Sequence, residues 1–140
     1  MPPSEIFLSH SSHDRRVAAR LADAVTAHGL RVWYSPTEIV GAQQWHDEIG
    51  KALSRCDWLM VILSPHAVTS MWVKRELLFA LQDKRYNDHI IPILYRACDY
   101  SALSWTLSSI QIVDFSSDFA EGCRRLLRVW HIDLNSEVLG

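Results

Sequence analysis

The chain has 140 residues, 49% of them hydrophobic and 21% charged, which suits one domain able to bury a core without disulfides or a structural metal. Fourteen Lys and Arg against sixteen Asp and Glu leave a formal charge of -2, whereas proteins held to phosphate backbones usually carry a basic excess, so no nucleic-acid partner is expected. The longest apolar run, Trp58 to Leu63, falls far short of the roughly 20 residues that span a bilayer, so no membrane partner is expected either. The first residues lack a signal-peptide pattern, and Cys56, Cys98 and Cys123 show no CxxC pairing; a cytoplasmic setting is the expectation.

In chain order, Ile6-Phe7-Leu8 reads as a first strand, and Ser12 to Asp14 as caps for a helix. Val17, Leu21, Ala24 and Val25 recur at helical spacing until His28-Gly29 stops them. Residues 30–34 form a short β-prone run that Ser35-Pro36 interrupts. A loop to Gly41 leads into a helical stripe of Trp45, Ile49 and Leu53. Trp58 to Leu63, bounded by Asp57 and Ser64-Pro65, predicts a strand buried on both faces, the mark of a parallel sheet. A helix is predicted over 70–85, a fourth strand over 90–95, a weaker fifth over 110–113 and a last helix over 118–130. Arg124, Arg125 and Arg128 interleave with the apolar positions of that helix and read as its solvated face. Residues 135–140 read as a frayed tail or the start of a linker.

Strands alternating with helices imply an α/β three-layer sandwich with a parallel sheet and right-handed crossovers. Such sheets bind ligands beyond the carboxyl ends of their strands, which directs attention to the loops after Leu8, Tyr34 and Leu63. Those loops carry no GxGxxG, no GxxxxGK[ST] and no GxSxG. The acidic residues that a phospho-receiver needs for magnesium are replaced by Ser9-His10-Ser11-Ser12 and Ser64-Pro65-His66. His10 and His13 have HxxH spacing but no acidic or cysteine partner, so no metal is expected. What remains is Ser9-His10-Ser11, the loop after Tyr34, and Ser70 to Leu77, where Trp72 and Glu76 lie one helical turn apart. An aromatic plate beside a carboxylate suits a heteroaromatic ring and a developing cation.

These segments resemble the boxes of the Toll/interleukin-1 receptor (TIR) domain family, most closely its bacterial NAD⁺-cleaving members. Residues 6–14 are similar to its first-strand box, 29–34 to its second strand, and Gly41, Trp45, Ile49 and Leu53 to its long loop and following helix. Residues 59–65 resemble its third-strand box, 70–77 its glutamate segment and 91–94 its fourth strand. The resemblance implies a flavodoxin-like five-stranded sheet of order 2-1-3-4-5, with the TIR domain over 1–134. It also implies an NAD⁺ glycohydrolase that releases nicotinamide with ADP-ribose or a cyclic isomer, in bacterial antiphage defence or signalling. The family glutamate falls on Glu76 and its aromatic companion on Trp72, while His10, Ser11, Ser35 and Trp45 match positions that contact the nucleotide. Ser35 stands where many members carry an acid. NAD⁺ is then substrate and no cofactor is needed. The loop from Ser35 to Gln44 is implied to meet a neighbouring copy, so that self-assembly activates the site. The alternative is a non-enzymatic scaffold binding other TIR domains. Glu76 itself is expected to be an exposed helix residue whose replacement leaves stability nearly unchanged.

Overall fold

The computed structural model describes residues 2–34 and 42–139, with the backbone alone over 42–46. Five strands, β1 (Ile6–Ser9), β2 (Val32–Tyr34), β3 (Trp58–Leu63), β4 (Ile90–Leu94) and β5 (Val113–Asp114), form one sheet in the order β2-β1-β3-β4-β5. Every pairing is parallel, with Leu8 opposite Tyr34 and Met60, and Leu63 opposite Leu94. The expected architecture is therefore present. Its helices are α1 (Arg15–Thr26), α2 (Ala42–Arg55), α3 (Pro65–Val68), α4 (Met71–Gln82) and α5 (Phe119–Arg128).

Strand alternation divides the core between two faces. Ile6, Leu8, Met60, Ile62, Ile91 and Ile93 pack against α1 and α5. Phe7, Leu59, Val61 and Leu63 turn the other way, onto α2, α4 and the segment around Leu103 and Leu107. All six residues of β3 are buried, as an apolar run without alternation requires. Trp33 stacks on Phe7 with ring centroids 5.0 Å apart and stays with the second face. Gly29, at φ +88°, supplies the left-handed turn after α1 that a side chain would strain.

Three elements differ from the sequence expectation. β5 is two residues long because Ile110 and Ile112 pack against the second core face instead of extending the ladder. α4 ends at Gln82, and a separate 3-10 turn, Lys84–Tyr86, is capped by Asp83. α3 was not expected; Ser64 caps it through the Ala67 N–H and Pro65 opens it. Past α5, the Asn135 N–H donates to His28 Nε2, and Ser136–Leu139 forms a 3-10 turn with Leu139 against the core. Among the described residues no helix is long and apolar enough to cross a membrane. The three cysteines are free, and burial pushes the Cys56 thiol up to about 12 and Cys123 up to about 11.

Candidate functional site

The carboxyl end of β1 and the second turn of α4 meet at one pair of side chains. Ser9 is the last residue of β1 and, by strand alternation, faces the same side as Phe7, where α4 packs. On α4 the buried positions are Val73, Glu76, Leu77 and Ala80, the 3–4 spacing of a helix pressed against a sheet. Glu76 thus occupies a place in an apolar stripe. It is 6% exposed, which corrects the expectation of a solvated residue. Ser9 Oγ donates to Glu76 Oε1 at 2.6 Å.

Two causes act on this carboxyl in opposite directions. Burial disfavours the anion, and the Ser9 hydroxyl favours it; burial prevails and Glu76 is pushed up to about 7. A buried carboxyl poised near neutrality beside a sheet's ligand edge suits proton transfer and cation stabilisation.

Around this pair stand residues from three elements. Trp72, one turn before Glu76, is half-buried against the second core face, with the Arg75 guanidinium 5.4 Å from its ring centroid. Ser70 caps the helix by accepting from the Val73 N–H. His10 follows Ser9, and its ring lies 6.1 Å from that of Tyr34 at the end of β2. His10 Nδ1 lies 2.8 Å from the Ser11 carbonyl and must donate to it, so Nε2 carries the lone pair of the neutral ring. Burial lowers the His10 pKa and holds it in that neutral form. Nε2 is a buried acceptor without a hydrogen-bond partner among the described residues.

Ser11 is buried and spends its oxygen on the His13 N–H, capping the 3-10 turn Ser12–Asp14. His13 stacks on His66, ring centroids 4.4 Å apart, and so is engaged away from His10. Among the described residues no three His, Cys, Asp or Glu side chains gather as a metal site. Ser35, the loop before α2 and the side chain of Trp45 lie outside the described residues. Ser9 belongs to the candidate set Ser9-His10-Ser11, but sequence reasoning gave it no role of its own. It stood in the same box as His10 and Ser11, but its partner is 67 positions away and no local spacing ties the two together.

A cavity of about 740 Å³ lies elsewhere, at the amino ends of β3, β4 and β5, between Ala80, Tyr86, Ile110 and Arg128. None of Ser9, His10, Trp72 or Glu76 lines it.

Comparison with known proteins comes down on the same side as the topology. The family described as "TIR domain" matches residues 6–127. The "2' cyclic ADP-D-ribose synthase BtTIR" of Bacteroides thetaiotaomicron is 32% identical over 95 residues, covering 66% of this chain and 33% of that protein. The "Probable 2' cyclic ADP-D-ribose synthase BdTIR" of Brachypodium distachyon is 30% identical over 93 residues, covering 65% of this chain and 40% of that protein. The chain therefore spans only a third to two fifths of these relatives. Among solved structures, the TIR domain of the Toll-related receptor TRR-2 of Hydra magnipapillata superposes with TM-score 0.72 at 20% identity, covering 89% of this chain and 95% of that one. The TIR domains of the activated Roq1 resistosome give 0.73 at 16% identity, covering 91% and 99%. At these identities the structural likeness shows the fold.

Proposed function

The chain belongs to the TIR domain family, and from that premise we propose that it cleaves NAD⁺ at the nicotinamide–ribose bond, with Glu76 as the essential carboxylate. The observation that carries this reading is the buried Ser9–Glu76 pair at the ligand edge, with Trp72 one turn away. The names of the two relatives, a 2' cyclic ADP-D-ribose synthase and a "Probable" one, support it.

The chemistry needs little else. The bond between ribose C1′ and the pyridinium nitrogen breaks with its electron pair going to nitrogen, so nicotinamide leaves neutral and needs no general acid. Positive charge then develops on the ribose, and an ionised Glu76 stabilises it in a site where water does not screen the interaction. Water adding to C1′ gives ADP-ribose and releases a proton; a hydroxyl of the same molecule adding there gives a cyclic isomer and releases the same proton. A carboxylate with a pKa near 7 is a suitable acceptor for it. In this reading His10 Nε2, buried without a partner among the described residues, accepts a hydrogen bond from substrate, and half-buried Trp72 lies against a ring. NAD⁺ is substrate, and no other cofactor enters. Ser11, Ser35 and Trp45 complete the nucleotide contacts, and residues 35–44 meet a neighbouring copy, so that assembly activates the site. The activity fits NAD⁺ depletion or nucleotide signalling in bacterial antiphage defence, in the cytoplasm where the substrate is.

The test is NAD⁺ consumption by wild type and Glu76→Gln at high protein concentration, with tag-driven clustering to force assembly and chromatography to separate products. Nicotinamide release by wild type, absent from a folded Glu76→Gln, is the expected result. No consumption by an assembled wild type would overturn the reading and leave a TIR-binding scaffold.

A further inference from the structure

The other half of the same sheet edge is cationic. Residues 12–17, 64–66 and 95–96 enclose a groove of about 720 Å³ between α1, the start of α3 and the end of β4. Past Arg16 and Arg96 it continues into a hollow of about 410 Å³ that adds Arg20 and residues 115–119. Ser9, His10, Trp72 and Glu76 line neither part. The first part lies where β1 and β3 send their chains to opposite faces, the position at which open parallel sheets form crevices.

Four arginines wall this groove, Arg15, Arg16, Arg20 and Arg96, in a chain whose formal charge is -2. Among the described residues none of the four makes an ion pair; those pairs involve Lys51, Arg55, Arg85, Arg124 and Arg125. The two carboxylates in the walls are already engaged. Asp14 is buried and accepts from Ser64 Oγ at 2.5 Å, and Asp118 caps α5 by accepting from the Ala120 N–H. The groove thus carries four guanidinium charges against two carboxylates that face other donors, a net positive charge.

Two of the guanidinium groups are also fixed in place. Arg96 lies 4.0 Å from the Tyr95 ring centroid and donates to the Tyr95 carbonyl and hydroxyl. Arg20 lies 3.9 Å from the Phe119 ring centroid. Stacking on an aromatic face holds a guanidinium by its plane and leaves N–H edges for an anion, at less cost in side-chain freedom than a solvated arginine. The stacked His13–His66 pair adds a flat surface beside Arg15 and Arg16. Forked donors spaced along a concavity fit two linked phosphates better than a single carboxylate. The volume falls within the few hundred to roughly 1,000 Å³ of small-molecule sites.

We propose that this groove binds a diphosphate-bearing small molecule, at a site separate from Glu76. The inference rests on cavity, charge and stacking, and stands whether or not Glu76 cleaves NAD⁺. The diphosphate can arrive free or as part of a nucleotide, whose base would use the aromatic surfaces.

Isothermal titration of wild type with inorganic pyrophosphate and with ADP tests it, alongside Arg16→Ala/Arg96→Ala, Glu76→Gln, and a control, Arg31→Ala/Arg128→Ala, that removes the same charge elsewhere. The groove variant should weaken both ligands at least about 30-fold, as losing two charge-assisted contacts implies, while the control and Glu76→Gln stay within about twofold. ADP at least about tenfold tighter than pyrophosphate assigns a nucleotide; equal affinities assign free diphosphate. Equal weakening by groove and control variants, binding lost in Glu76→Gln instead, or no wild-type binding below millimolar would each overturn the proposal. Should Arg16→Ala/Arg96→Ala fail to melt like wild type, Arg15→Ala/Arg16→Ala, both exposed on α1, carries the same comparison.

Discussion

Replacing Glu76 by Gln should flatten the pH dependence of stability in a defined window. The carboxyl titrates at 4.5 in an unfolded chain and at about 7 in the folded protein, because burial penalises its anion more than Ser9 rewards it. Below pH 4.5 the group is protonated in both states and costs nothing. Between 4.5 and about 7 the unfolded chain releases the proton while the folded protein keeps it, so stability falls as pH rises. Above about 7 both states are ionised and the loss levels off at ~3 kcal/mol, a pKa difference converted at about 1.4 kcal/mol per decade. Gln keeps the acceptor for Ser9 Oγ and carries no charge, so its variant should escape this loss. Urea denaturation of both proteins from pH 4 to 8.5 gives the measurement, read as wild type minus variant. His10, whose depressed pKa removes stability as pH falls below 6.5, titrates in both proteins and cancels in the difference. A difference that stays constant within ~0.5 kcal/mol across the window would refute the reasoning, since a solvated Glu76 behaves that way.

Ser9→Ala removes the hydroxyl that donates to Glu76, so the midpoint of the proposed NAD⁺ cleavage against pH should move above about 7, at a stability cost of about 1 kcal/mol; an unmoved midpoint would detach Ser9 from the carboxylate. Ser64→Ala takes away both the donor to buried Asp14 and the cap of α3, and chemical denaturation should show a loss of about 2–3 kcal/mol. Gly122→Ala would favour an exposed helix, but its Cβ here would stand 2.5 Å from Phe115 Cγ, so thermal denaturation should show a loss of about 1–3 kcal/mol.

The sheet was legible because its signals are local. An unbroken apolar run marks β3 and Gly29 marks the end of α1, each within a dozen residues, and the alternation of such strands and helices along the chain implies parallel pairing. The shortened β5 was not legible, since Ile110 and Ile112 have strand character and only the neighbouring core face takes them away from the ladder. Glu76 shows the same limit at the site. Its spacing from Trp72 could be read, but a glutamate in a helix is ordinarily solvated, and its burial depends on Ser9 and β1 arriving from 67 residues away. The arginine groove joins α1 to the end of β4, residues no sequence window holds together.

The division of charge along the strand edge has a consequence for the chemistry at Glu76. A carboxylate that stabilises a developing cation must not already be neutralised by a permanent one. At 4 Å and an effective dielectric of 20, a guanidinium would interact with it by about 4 kcal/mol, holding the anion but competing with the ribose for it. Among the described residues, burial and the Ser9 hydroxyl act on the titration of Glu76, and no arginine contributes. The neighbouring histidine is held neutral by its own burial. The four arginines instead gather on the side of α1 and β4. Glu76 therefore stays near its ionisation point with no guanidinium against it, and under the proposed cleavage of NAD⁺ the positive charge it meets is the one that substrate brings.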